Sequence, residues 1–407
     1  MNVNKSLKRI YIILIAIILV VIAIVAILLI NNSTSRVVIT NDKEEKVMNT
    51  NALTMMYETE AGSGEYQVTS DTTWPQDGYI FNERLSGCEN GSTLTWDDER
   101  KAVILSTNVS DKCYVYFDKE PEIVYFADYI IDNVYVEDGV NGLYCHDGVG
   151  IYTNANQEAV DNSYRYAGAN LNNYVCFGSN EETCLDDNLY RIIGIFNNQI
   201  KLIKLISYNE IAWDDGNKTI NNILPIVETT CNGSNIWNES TKPDIYTTLN
   251  ETYYNSLESE WQKLISETTW QVGGMAWSTT NTVKQYYDVE VGTAQNGYEE
   301  TMKIGLIYVS DYGYATSPEN WTTALTDYNN AINPSNNWLY LDANEWTISS
   351  SPMYTGDNCN VFYINNLANI WHNYPEATNA VRPVFYLNSD VTYISGSGTQ
   401  SDPFRIA

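Results

Sequence analysis

The sequence predicts an α+β chain in three parts: an N-terminal transmembrane helix, a small β-sandwich-like module and a larger C-terminal α+β domain. Three observations carry that prediction. Residues 10–30 form an unbroken apolar run. Residues 64–117 hold short alternating stretches broken by turn residues. From residue 189 onward, a hairpin, a helical periodicity and a terminal apolar strand follow one another.

As a helix, the apolar run of about 21 residues would reach roughly 31 Å, enough for the hydrocarbon core of a bilayer. Lys5, Lys8 and Arg9 precede it, so the positive-inside rule puts the N-terminus in the cytoplasm and the rest outside. No Ala-X-Ala-like site ends the run, as a cleaved signal peptide would require. No Gly occurs before Gly62 and no acid lies within the run, which separates it from a prepilin leader. Residues 1–30 therefore read as a cytoplasmic tip and an uncleaved signal anchor. The membrane is then a partner through residues 10–30, and the location is a single-pass cell-membrane protein with its C-terminal region extracellular.

Residues 31–60 are a polar spacer, with helical character around 47–57. Residues 61–120 form the small β module, with strands over 101–106 and 112–117 and turns at Asn90-Gly91 and Asp97-Asp98. Cys88 and Cys113 flank its centre and are expected to pair in an oxidising compartment. Residues 121–144 connect it to the larger domain, 145–407. There, Cys176 and Cys184 are close enough to close a short loop as a second disulfide. Cys145, Cys231 and Cys359 remain unassigned. Leu189 to Phe196 reads as a strand, Asn197-Asn198 as a tight turn and residues 199–206 as the return strand. A short helix follows over 243–249. Tyr253, Leu257, Trp261, Leu264 and Ile265 recur at helical spacing over 253–267. Residues 303–310 and 381–387 read as strands.

The formal net charge is −29, which excludes nucleic acid as a partner because a phosphate backbone would be repelled. With 32 Tyr and 11 Trp, the chain is rich in the rigid rings that serve both cores and recognition surfaces.

The order of elements, with Leu-Tyr-Arg-Ile-Ile-Gly (189–194), Asn-Trp-Leu (337–339), Glu-Trp-Thr-Ile-Ser (345–349) and Val-Arg-Pro-Val-Phe-Tyr-Leu (381–387), resembles the C-type-lectin-like fold. The likeness is to the branch shared by formylglycine-generating enzymes and the variable proteins of diversity-generating retroelements, here at the C-terminus of an anchored bacterial surface protein. Arg382 matches the arginine that this branch carries at its final strand. Variable proteins place diversified residues just before the final strands, which implies a display segment at 350–379. Its candidate ligand-binding residues are Tyr354, Asp357, Asn358, Asn360, Tyr363, Trp371, His372 and Tyr374, with Trp346 packed beneath as core.

No catalytic residue is nominated. Cys359 has no neighbouring cysteine for formylglycine chemistry, and neither His146 nor His372 sits in a hydrolase motif. No cofactor and no metal site is expected by motif. Ca²⁺ could be held by adjacent acids such as Asp186-Asp187, Asp214-Asp215 or Glu299-Glu300, but the Glu-Pro-Asn and Gln-Pro-Asp signatures of sugar-binding lectins are missing. The expected function is ligand recognition or adhesion at the cell surface, toward an extracellular protein or glycan. The alternatives are a structural or pilin-like envelope component and an extracellular hydrolase using paired carboxylates.

Overall fold

A computed structural model describes residues 38–39, 52–69, 78–100, 102–106, 111–134, 142–149, 155–216, 235, 242–292, 299–332, 334–351 and 360–407. The chain divides into two compact units, Met1–Ile123 and Val124–Ala407.

The first unit is built from strands β1 (Val38–Ile39), β2 (Ala52–Glu58), β3 (Tyr66–Thr69), β4 (Tyr79–Phe81), β5 (Gly87–Cys88), β6 (Thr93–Asp97), β7 (Ala102–Ser106) and β8 (Lys112–Lys119). One sheet runs β3-β2-β8-β4, with β5 also on β8, and the other runs β1-β7-β6. Strand β8 alternates: Cys113, Val115 and Phe117 are buried and the residues between them are not. Val103 from one sheet and Met55, Val115 and Phe117 from the other form the core, with Trp96 and Phe81 packed against it. The Phe117 ring meets Trp96 edge-on at 5.7 Å. The disulfide Cys88–Cys113 ties β5 to β8 at paired positions. A core this small gains from such a link, which constrains the unfolded chain by roughly 3 kcal/mol.

The helical reading of residues 47–57 is corrected for 52–57, which lie in β2, and residues 47–51 lie outside the described residues. Leu53, Met55 and Tyr57 all face the core, a period of two rather than 3.6. Strand β2 pairs in parallel with β8, Ala52 opposite Lys112 through Tyr57 opposite Phe117. The unit thus includes residues that the spacer reading had set aside.

The second unit begins at Val124, so the connector expected over 121–144 is mostly part of it. The helix Phe126–Val134 buries Phe126 and Ile130, and the Phe126 ring packs on Phe404 at 5.5 Å. The strands are β9 (Gly142–Cys145), β10 (Tyr164–Ala167), β11 (Tyr174–Cys176), β12 (Leu189–Phe196), β13 (Gln199–Lys204), β14 (Asn209–Ala212), β15 (Thr268–Gln271), β16 (Glu299–Met302) and β17 (Ile304–Gly305). They continue as β18 (Glu345–Ser351), β19 (Asn360–Ile364), β20 (Ile370–Asn373), β21 (Thr378–Val381), β22 (Val384–Tyr386), β23 (Tyr393–Ser395) and β24 (Arg405–Ile406).

A seven-stranded sheet runs β17-β22-β13-β12-β10-β9, with β11 on β12, and a five-stranded sheet runs β14-β21-β18-β19-β20. The hairpin β12–β13 is the centre of the first. Asn197 and Asn198 turn it with φ of 50° and 62°, the left-handed pair that a two-residue hairpin loop needs. Seven of the eight β12 residues are buried, because the strand is covered on both faces.

The strand expected over 381–387 is two strands in two sheets. Strand β21 ends at Val381 in the five-stranded sheet, and β22 starts at Val384 in the seven-stranded one. Pro383 lies between them and has no N–H for a ladder. The residue carrying the chain across is Arg382, whose Nε and Nη2 donate to Glu345 at 2.7 and 2.8 Å, with Nη2 also donating to the Leu339 carbonyl at 2.6 Å. Two further expectations are corrected. Only Ile304–Gly305 is strand within 303–310, and a helix starts at Val309. The helix expected over 253–267 is interrupted at Leu257, which is extended, before Ser259–Leu264 resumes.

The fold class is corrected as well. The described residues are sheet-rich, and their longest continuous helical run, 244–256, would span only roughly 20 Å. Among the described residues no helix is long and apolar enough to cross a membrane. Residues 10–30, on which the anchor reading rests, lie outside the described residues.

Candidate ligand-binding face

The antiparallel register of the five-stranded sheet sets Trp346 on β18 opposite Tyr363 on β19, and Tyr363 opposite Trp371 on β20. Directly opposed residues point to the same side of a sheet, so the three rings form a row on one face. The row runs from core to surface. Trp346 is fully buried and its Nε1 donates to the Ile211 carbonyl at 3.0 Å. Tyr363 is half-buried, and Trp371, on the edge strand, is 41% exposed.

A ring from elsewhere completes the edge. Trp277 meets Trp371 edge-on with centroids 4.8 Å apart, and His372 lies 5.4 Å from the same indole. Burial pushes the His372 imidazole below its ordinary value, so it is neutral at pH 7. Its Nδ1 and the Trp277 Nε1 are both buried without a hydrogen-bond partner. Tyr374 follows β20 and is 42% exposed. None of these side chains is charged at pH 7, on a protein whose net charge is −29. A neutral aromatic edge on so acidic a chain departs from the usual surface composition.

The structure therefore gathers Tyr363, Trp371 and His372, with Tyr374 next in the chain. Asn360 is corrected as a contact residue: it is buried, and its carbonyl accepts from Asn235 Nδ2 at 2.7 Å. Tyr354, Asp357 and Asn358 lie outside the described residues. Where it is described, the display segment is mostly strand. Val361, Phe362, Ile364 and Ile370 are core residues, so only Tyr363 of β19 and Trp371, His372 and Asn373 of β20 reach the surface. Trp277 carries no motif, and its contact with Trp371 bridges almost a hundred residues of chain, which sequence patterning does not reveal.

A second feature of the unit is a cavity of about 320 Å³ beside β13, where charged groups line the wall. Arg165 Nη2 lies 2.8 Å from Asp161, and Arg165 Nη1 lies 3.5 Å from Asp311. Lys201 Nζ is 2.5 Å from Asp311. Burial opposes ionisation of Asp161, but the Arg165 guanidinium and Ser163 outweigh it and hold the carboxyl well below the usual range. Asp161 and Asp311 thus lean on one shared cation, Arg165, an arrangement unlike the acid and base of a glycosidase.

The acidic pairs separate. Glu300 accepts from Lys242 at 2.5 Å, Glu299 accepts from Gln271, and Asp187 is largely exposed. Asp214, Asp215 and Asp244 each place a carboxylate oxygen within 4.8 Å of the others, a hard oxygen set of the kind that suits Ca²⁺. Loop hydrogen bonds already engage two of them: Gly216 N–H donates to Asp214, and Asp215 N–H to Asp244. His146 is fully buried, its Nδ1 accepts from the Ala159 N–H, and its ring stacks 5.0 Å from Trp321.

The second disulfide is Cys176–Cys184, and both bridges join the residues expected to pair. Cys145 lies outside these bridges, and burial pushes its thiol up. Cys231 and Cys359 lie outside the described residues.

No family model matches the chain, and neither the curated proteins nor the solved structures contain a match to it. The lectin-like resemblance therefore assigns no role to any residue, and the face around Trp371 rests on its own geometry.

Proposed function

We propose that the second unit recognises an uncharged extracellular ligand, a glycan, by stacking it on the aromatic edge formed by Trp277, Tyr363, Trp371 and Tyr374. The observation that carries this reading is Trp371, a large ring left 41% exposed on an edge strand while braced by Trp277. Exposing such a ring forgoes the burial that a core would give it, worth about 2–3 kcal/mol. A braced ring is also already ordered, so a ligand that stacks on it does not have to order it. The absence of charge among these side chains favours the CH face of a sugar over a phosphate or a sulfate. The two disulfides support an oxidising compartment, hence a site outside the cytoplasm.

The reading extends to variation within 350–379. If that segment is diversified, substitutions should fall at surface positions such as Trp371 and Tyr374 and spare Val361, Phe362, Ile364 and Ile370. Deep sequencing of the gene from one expanded population checks this; substitutions spread evenly over core and surface would remove it. The binding test is a glycan array probed with the protein and with Trp371→Ala. Stacked aromatic anchors typically contribute about 2 kcal/mol or more, so the variant should bind at least ~10-fold more weakly. Equal binding by both forms would contradict the reading.

A further inference from the structure

Lys201 projects from β13, and Asp311 lies in the first turn of the helix Val309–Tyr314, 110 residues later. Nζ lies 2.5 Å from Oδ2, and the two side chains are 0% and 1% exposed. Four rings surround Nζ: Tyr308 at 4.4 Å, Trp270 and Tyr386 at 5.3 Å, and Phe196 at 5.6 Å. Glu290, a third carboxyl and fully buried, ends the helix Val283–Glu290. It accepts the N–H groups of Val309 and Ser310, at the start of the helix that carries Asp311. Arg165 Nη1 stands 3.5 Å from the other oxygen of Asp311, Oδ1.

This is more than an ion pair requires. A buried, ring-lined site penalises the Lys201 ammonium, and the 2.5 Å contact gives its proton a path to the carboxylate. The amine and carboxylic acid that result are the reactive forms. From this geometry we propose that Lys201 and Asp311 condense into an intramolecular amide, an Nζ–Cγ bond that staples β13 to the helix Val309–Tyr314.

The step balances without any co-reactant. The ammonium passes a proton to the carboxylate across the short contact, giving amine and acid. Nζ attacks Cγ, and the charge that develops on Oδ1 faces the Arg165 guanidinium. The Cγ–Oδ2 bond breaks, and Oδ2 leaves as water with the proton it first received and one lost by Nζ. An ammonium and a carboxylate become an amide and one water, with nothing oxidised or reduced. Nζ passes its second proton directly to Oδ2, with which it is already in contact. Burial lowers the Lys201 amine, against the pull of Asp311. The neighbouring cavity, lined by both residues, gives the water a way out.

The test is the intact mass of the full chain, denatured and with its disulfides reduced. The expected value is lighter than the sequence mass by one water, with proteolysis releasing a branched peptide that joins Lys201 to Asp311. The full sequence mass overturns the proposal. So does a missing water that maps to an Asp-Gly step, such as Asp147-Gly148, where a succinimide forms. Lys201→Arg should show no branched peptide, and finding one would mean the link had been misassigned.

Discussion

Charge lies inside the second unit around Lys201, and aromatic surface lies outside it around Trp371. Both invert the usual distribution, and they differ in how the departure is resolved. Inside, each charge has partners: Lys201 and Arg165 share Asp311, Arg165 holds Asp161, and Arg382 grips Glu345 with two hydrogen bonds. Outside, Trp371 has a supporting ring but stays 41% exposed. Interior departures that are satisfied hold the fold together, and the surface departure left open is where we propose that a ligand binds. The two buried pairs also differ from each other. A guanidinium is planar, always charged and unreactive, so Arg382–Glu345 is a fixed clamp at the sheet crossover. An amine in a ring-lined site can lose its charge and react.

This contrast predicts a ranked set of effects. Glu345→Ala leaves Arg382 buried without its carboxylate and should destabilise the second unit by about 3–5 kcal/mol in denaturant unfolding. A loss under 1 kcal/mol would mean that water reaches Arg382. Replacing Cys176 and Cys184 together with Ser should cost about 2–3 kcal/mol, because the loop they close is short. Glu290 predicts a pH effect of about 2 kcal/mol. Its carboxyl is raised from 4.5 to about 6, so the folded state holds the proton more tightly than the unfolded state. Its stabilising share is complete below pH 4.5 and fades as pH rises through 6. Stability curves for the protein and for Glu290→Gln should diverge over that window and run parallel above it. Parallel curves throughout would place Glu290 in contact with water. Trp371→Ala should change stability least, by about 0.5–1.5 kcal/mol, since the ring is 41% exposed and loses chiefly its edge-on contact with Trp277.

Local chemistry made part of this fold readable. Asn197-Asn198 announced the central hairpin because few residues accept positive φ at two successive positions. The disulfide pairs followed from spacing. What failed was decided at long range. Strand β2 pairs with a strand some sixty residues downstream, so its alternation passed for a weak helix. Residues 303–310 are apolar like a strand, yet the Asp311 carboxylate accepts the Tyr308 N–H and starts a helix there. The terminal run around Arg382 looked continuous because the ion pair that parts it involves Glu345, far earlier in the chain. On the aromatic face, Tyr363, Trp371 and His372 stand among the candidates that residue type nominated, but the buried Asn360 was not separable from them. Whether a strand residue faces core or solvent depends on register, and one position changes the answer. Trp277 had no local signal at all.

The central claim is that the open aromatic edge is a binding surface, and one titration tests it most directly. The full chain and its Trp371→Ala and Trp277→Ala variants would be titrated with the glycan that the protein retains from an array, following tryptophan fluorescence. The account predicts saturable quenching in the unaltered protein, affinity at least ~10-fold weaker in both variants, and melting temperatures close to that of the unaltered protein for Trp371→Ala. Unchanged affinity in both variants, or retention of no glycan with retention of a polypeptide instead, would contradict it.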